Sequence, residues 1–138
     1  MLKIKIKRLK KEAVIPKYSL EGDAGMDIVA ITKDETEKYV EYGTGLSFEI
    51  PESYVCLIFP RSSVSNKDLI LSNCVGVLDS GYRGELRLKF KKIGKESYNI
   101  GDKVAQIIIL PYPKIIFEEV RGISNSARGG KGFGSTGN

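Results

Sequence analysis

Short segments in which apolar residues alternate with polar ones, or run unbroken, recur at residues 2–9, 28–31, 46–50, 54–59, 86–90, 104–110 and 115–120. They are rich in Ile, Val, Tyr and Phe, and Gly, Pro, Asn, Asp and Ser separate them. A period of two places alternate side chains on opposite faces of a strand, and the separating residues are those that favour turns. No long segment keeps a period of 3.6, so the pattern predicts at most one helical turn, at residues 63–67, where SSVSNK can cap and start it. Many short strands with frequent turns predict an all-β domain, as a β-sandwich, jelly roll or barrel.

The first segment shows the pattern at its cleanest. Leu2, Ile4 and Ile6 alternate with Lys3, Lys5 and Lys7, giving one dry and one wet face. Lysines so placed read as a solvated face that blunts a sheet edge, in preference to a nucleic-acid site. From Gly122 the composition changes to GISNSARGGKGFGSTGN, which lacks the apolar residues to hold itself folded. We therefore place one domain at 1–123 and a flexible, glycine-rich arm at 124–138. The arm is expected to order only against a partner, with Phe133 as its one large anchor.

Composition adds exclusions. At 138 residues, 41% hydrophobic and 28% charged, the chain suits a soluble globular domain large enough for a core. The longest apolar run, around residues 107–110, is too short to cross a bilayer, and the cationic N-terminus leads into no apolar stretch of the kind a signal peptide has. A cytoplasmic, reducing location is expected, or a host cell's cytoplasm or nucleus if the source is viral. The net charge of +5 lies largely in the first eleven residues and needs no polyanionic partner. Cys56 and Cys74, each inside an apolar stretch, read as buried structural thiols. With no Cys-x-x-Cys pair and no histidine, a zinc site and the histidine-based nucleophilic triads are excluded. A general base must be a carboxylate, Lys, Tyr or Cys.

Four stretches invite a chemical reading. In DAGMDI, Asp27 follows a glycine turn just inside a strand; by itself this is a turn aspartate that accepts local backbone amides. In PRSSVSNK, Arg61, Ser62 and Ser63 precede the helical turn. They read either as a phosphate seat or as a cap with an incidental arginine. NCVGVLDSGYRGELRLKF reads as paired strands about a tight SGYRG turn. Asp79 ends the apolar run, with its carboxylate at the rim of the core, where a partly desolvated group can deprotonate a water. In GDKVAQIII, Gln106 is a polar residue within an apolar strand and must find partners.

Taken in order and spacing, DAGMDI, PRSS, GVLDSGYRG, GDKVAQ and RGGKGFGSTG resemble the five motifs of the trimeric dUTPases, from about Asp23 to Gly137. The resemblance implies a distorted jelly-roll fold of the β-clip kind, in a homotrimer whose C-terminal arms are exchanged. It implies hydrolysis of dUTP to dUMP and pyrophosphate, which keeps uracil out of DNA and supplies dUMP for dTTP synthesis. Asp79 would orient and deprotonate the water that attacks the α-phosphorus. Mg2+ would be held mainly by the substrate's phosphates and by waters, on which Asp27 acts indirectly. Arg61, Ser62 and Ser63 would grip the phosphates, with help from Gln106. Tyr82 would lie beneath the deoxyribose and exclude a 2′-hydroxyl. The backbone of Asn73, Gly76, Val77 and Leu78, with that near Arg87, would read the uracil edge. Arg128 would pair with the γ-phosphate, Phe133 would stack on uracil, and Gly134, Ser135 and Thr136 would meet the phosphates.

The chain departs from the family's usual pattern at Lys131, where glycine is common; at Ser63, also often glycine; and at Leu78, often isoleucine. Lys131 would be strained if its position requires positive φ; alternatively it would add a cation near the γ-phosphate. The related dCTP deaminases share the fold and a PRSS stretch but use a glutamate that falls here near Lys89, and no glutamate lies between Glu85 and Glu96. A single Arg-Gly-Gly without repeats gives little support to a nucleic-acid-binding module. No stable nucleic-acid or membrane partner is expected.

Overall fold

Residues 1–132 are described here in a computed structural model. Ten strands run in chain order: β1 (Lys5–Arg8), β2 (Met26–Val29), β3 (Thr32–Glu35), β4 (Tyr39–Gly43), β5 (Leu46–Glu49), β6 (Tyr54–Phe59), β7 (Leu69–Leu71), β8 (Gly76–Leu78), β9 (Arg87–Lys92) and β10 (Lys103–Pro111). A single 3-10 turn, Ser62–Asn66, follows β6. The strands form three antiparallel sheets, ordered β1-β5, β2-β10-β6-β8 and β3-β4-β9-β7. This is the all-β sandwich that the pattern predicts.

Alternation explains how the larger sheets face each other. In β9, Leu88 and Phe90 are buried while Arg87, Lys89 and Lys91 are exposed. In β6, Cys56 and Ile58 point inward, and in β10 Val104, Ala105 and Ile107 do so. With Ile28, Val40, Tyr42 and Leu46 these side chains make one core. Burying apolar area of this kind is the main term that holds such a domain together. Its aromatic centre is Tyr42, Phe90 and Tyr98, in edge-to-face contact at 5.8–6.2 Å between ring centroids.

Several expectations are corrected. Residues 115–120 form no strand: Ile116 is 96% and Phe117 93% exposed, because nothing among the described residues covers them. The segments on either side of SGYRG do not pair with each other. β8 pairs with β6, and β9 with β4 and β7, so this loop bridges two sheets instead of closing a hairpin. β3 escapes the pattern because TKDE is a polar edge strand held partly by ion pairs to β9, Asp34 to Arg87 at 2.9 Å and Glu35 to Lys92 at 2.5 Å. Cys56 is buried and its thiol is pushed up to about 12 by that burial. Cys74 is exposed, in a turn at φ 59°, and is no core thiol. Lys5 lies on the wet face of β1 and pairs with Glu49 at 2.9 Å. Among the described residues no helix is long and apolar enough to cross a membrane.

Candidate active site

Two clusters emerge, on different parts of the surface. The first is a cavity of about 440 Å³, lined by β8, β9 and the loop that joins them. Its size suits a nucleoside-sized ligand. It gathers Asn73, Gly76, Val77, Leu78, Asp79, Tyr82 and Arg87, seven of the residues expected to bind or act on a nucleotide. Along β8, Leu78 is buried opposite Cys56 of β6 while Val77 is exposed, and the cavity is lined by both and by Asp79, the next residue. Asp79 is exposed, not held at a desolvated rim as expected: one residue beyond the strand, it has left the core behind.

Tyr82 is fixed in this cavity by its own loop. Its amide donates to the Asp79 carbonyl (3.2 Å) and its hydroxyl to the Glu85 carbonyl (3.1 Å). The ring lies against Gly84, where any Cβ would collide with it, so the glycine of YRG is a requirement of close approach. Arg87 turns its guanidinium to carboxylates: Glu41 at 2.6 Å, Asp34 at 2.9 Å and Glu85 at 3.1 Å. The Glu41 hydrogen bond, with Glu85 behind it, raises its already high pKa. Its side chain is thus committed to the scaffold, which leaves the backbone of β9 to face the cavity.

The second cluster is built on three neighbouring strands. Register places Asp27 of β2 opposite Gln106 of β10, and Gln106 opposite Phe59 of β6. Opposed residues share a face, and Arg61 lies two residues past Phe59. Asp27 accepts Arg61 Nε at 2.7 Å and pairs with Lys103 Nζ at 2.8 Å. Partial burial pushes the Asp27 carboxyl up, but the hydrogen bonds from Lys103 and Arg61 outweigh it and hold the group below the usual carboxylate range. Asp27 is thus no turn residue accepting backbone amides. Gln106 finds the partner its position demanded, donating to the Pro60 carbonyl at 3.1 Å, and its Oε1 packs where a Cβ on Gly25 would sit. Ser63 Oγ is 3.4 Å from Arg61 Nη1 and 3.0 Å from the Tyr98 hydroxyl. Ser62 is exposed on the 3-10 turn.

Lys103 and Tyr98 are absent from the residues expected from the sequence. Strict alternation sets Lys103 and Gln106, three apart, on opposite faces. A bulge between Lys103 and Ala105 brings them back to one face, which a period of two cannot anticipate. Arg128 lies in a tight turn outside both clusters, donating from Nε to the Lys131 carbonyl at 2.8 Å. That turn takes its positive φ, 54°, at Gly129. Ser53 and Cys74 are the described non-glycine residues with positive φ, so Lys131 carries no such strain. Phe133, Gly134, Ser135 and Thr136 lie outside the described residues.

The separation of the clusters follows from the β6–β8 register. Leu78 opposes Cys56, so Asp79 falls level with Val55, six residues along β6 from Arg61. At about 3.3 Å per residue, the two backbone positions of one chain stand roughly 20 Å apart along the sheet.

Comparison with known proteins covers the same span. The family model described as dUTPase matches residues 11–137. The deoxyuridine 5'-triphosphate nucleotidohydrolase of Finegoldia magna is 41% identical, with 99% of each chain covered. A Staphylococcus bacteriophage 80alpha dUTPase structure with dUpNHpp superimposes with a TM-score of 0.81 at 30% identity, with 100% of each chain covered. A mutant dUTPase from phage phi11 of S. aureus, whose structure is described as showing coordination of a structural Mg(II) ion, gives a TM-score of 0.76 at 25% identity over 90% of this chain and 100% of that one. With its fold and nearly its whole length in common with these proteins, the chain belongs to the dUTPase family.

Proposed function

We propose that the chain hydrolyses dUTP to dUMP and pyrophosphate, with Asp79 as general base. The observation that carries this reading is Asp79 standing exposed just past the end of β8, in the cavity that Tyr82 also lines. Deoxyuridine enters that cavity. The backbone of Asn73–Leu78 and that near Arg87 pair with the uracil edge, and Tyr82 lies under the sugar. A water held by Asp79 attacks the α-phosphorus and gives its proton to the carboxylate. The new P–O bond replaces the bond to the α–β bridging oxygen, and pyrophosphate leaves with that electron pair. Arg61, Ser62, Ser63 and Gln106 bind phosphate oxygens, and a guanidinium suits that contact.

The donor set fits a hydrated Mg2+ better than a protein-caged one. No group of three or more acidic, His or Cys side chains gathers among the described residues. Both Asp27 oxygens are engaged by cations, yet each keeps a lone pair for a metal-bound water. When bound, the ion neutralises phosphate charge.

A homotrimer completes the site. One extended triphosphate cannot bridge roughly 20 Å between Asp79 and Arg61, so the two belong to sites shared between chains. Ile115, Ile116, Phe117, Val120 and Ile123, all exposed in the single chain, supply the apolar surface that a neighbouring copy covers. The domain at 1–123 then carries the arm at 124–138 to a neighbour, where Arg128, Phe133, Gly134, Ser135 and Thr136 close on the nucleotide. We place this activity in the cytoplasm.

The test is pyrophosphate release from dUTP, dCTP, dTTP and UTP with Mg2+, before and after Tyr82→Ala. The wild type is expected to prefer dUTP by about 10⁴-fold, as polar groups left unpaired by the wrong ligand allow. Tyr82→Ala is expected to narrow the gap to UTP at least about tenfold, because a ribose 2′-hydroxyl no longer meets the ring. Equal turnover of dCTP, or ammonia release from it, contradicts the assignment; unchanged selectivity against UTP removes Tyr82 from its role.

A further inference from the structure

Tyr98 belongs to none of the stretches read as chemical, yet it reaches the phosphate-binding turn from the core. Its ring is buried, 3% exposed, against Tyr42 and Phe90, with centroids 6.2 Å from each. Its carbonyl accepts the Tyr42 hydroxyl at 3.0 Å. The loop that carries it is pinned at both ends. Asp68 Oδ2 accepts the amides of Lys95 and Glu96 at 2.8 and 2.9 Å, and Asp102 Oδ2 accepts that of Asn99 at 2.8 Å. The phenol oxygen therefore has little freedom, and it sits 3.0 Å from Ser63 Oγ. The 3-10 turn that holds Ser63 has no side-chain cap of its own at Arg61.

Proton accounting gives this contact a direction. A guanidinium only donates, so Ser63 Oγ accepts from Arg61 Nη1. If Ser63 also donated to Tyr98, its single proton would be spent inside the protein. A phenol is the more acidic hydroxyl and the better donor. With Tyr98 donating, Ser63 Oγ accepts twice and its own proton stays available to an anion. We propose that Tyr98 is a positioning residue for phosphate binding: its hydroxyl donates to Ser63 Oγ, which orients Ser63 and Arg61 together and leaves the Ser63 proton for a substrate phosphate oxygen. The proposal rests on the reading of Arg61 and Ser63 as phosphate-binding groups. It extends the relay Tyr98–Ser63–Arg61–Asp27–Lys103 from the aromatic core to the cluster's edge.

The test compares the binding of dUpNHpp, which carries the phosphates, with that of deoxyuridine, which carries none. Tyr98→Phe keeps the ring and its edge contacts and removes only the hydroxyl; Ser63→Ala leaves the aromatic cluster untouched. Tyr98→Phe is expected to weaken dUpNHpp about three- to tenfold, the effect of one net hydrogen bond, and to leave deoxyuridine unchanged. Ser63→Ala is expected to weaken dUpNHpp at least as much, and adding Tyr98→Phe to it to change nothing further. Wild-type affinity of Tyr98→Phe for dUpNHpp overturns the proposal. So does equal weakening of both ligands, which marks a general loosening, and so does full additivity in the double variant, which shows Tyr98 acting by another route. A wild-type chain that binds neither ligand overturns the dUTP reading and this proposal with it.

Discussion

Asp79→Asn is expected to lower dUTP turnover by about 10²–10⁴-fold, the range for removal of a general base, while affinity for dUpNHpp stays nearly unchanged. Asparagine has the shape of aspartate and the position is exposed, so neither packing nor burial of charge suffers. No neighbour can take over. The chain has no histidine, and the other carboxylate lining the cavity, Glu85, is engaged by the Gly45 amide at 2.8 Å and by Arg87 at 3.1 Å. Steady-state rates with parallel titration of dUpNHpp separate the two effects. Near-normal turnover would take the base role from Asp79, and parallel loss of binding would make it a binding residue.

Removing residues 124–138 is expected to lower kcat/KM by about 10²–10⁴-fold without changing the assembly. The magnitude combines about 1–3 kcal/mol for Phe133 stacking on uracil with about 1.5–3 kcal/mol for a charged hydrogen bond from Arg128. Closure also excludes water from the reacting phosphorus, which strengthens every charge interaction there. The assembly persists because the exposed apolar segment, Ile115 to Ile123, lies before the cut. Gel filtration beside the kinetics checks both halves. Undiminished kcat in the shortened chain contradicts the role given to the arm.

How far the sequence speaks for itself depends on the physics behind each feature. Strands whose burial follows alternation, such as β6 and β9, are legible because one face must be apolar. β3 is not, because its pairing rests on backbone hydrogen bonds and ion pairs that leave no hydrophobic period. Residues 115–120 carry a strand-like pattern for a different reason: their apolar side chains have no cover among the described residues, and the pattern cannot tell an intramolecular partner from a second copy. At the site, Asp79 and Gln106 are marked as polar groups that end or interrupt apolar runs, while Tyr82 is marked only by the resemblance of its GVLDSGYRG motif. Lys103 is hidden by a bulge, and Tyr98 by looking like an ordinary core aromatic. Asp27 was legible as a position but not in its surroundings, since its two cations come from a strand and a turn far along the chain.

In the proposed assembly, Asp79 and Arg61 serve one nucleotide from different chains. Co-refolding equal amounts of Asp79→Asn and Arg61→Ala subunits, each nearly inactive alone, tests this directly. In a threefold ring every mixed trimer has one junction at which an intact Asp79 meets an intact Arg61, so random mixing is predicted to restore about a quarter of wild-type turnover. A mixture that forms trimers and remains as inactive as its parents would place both residues in a site made by a single chain and contradict the account.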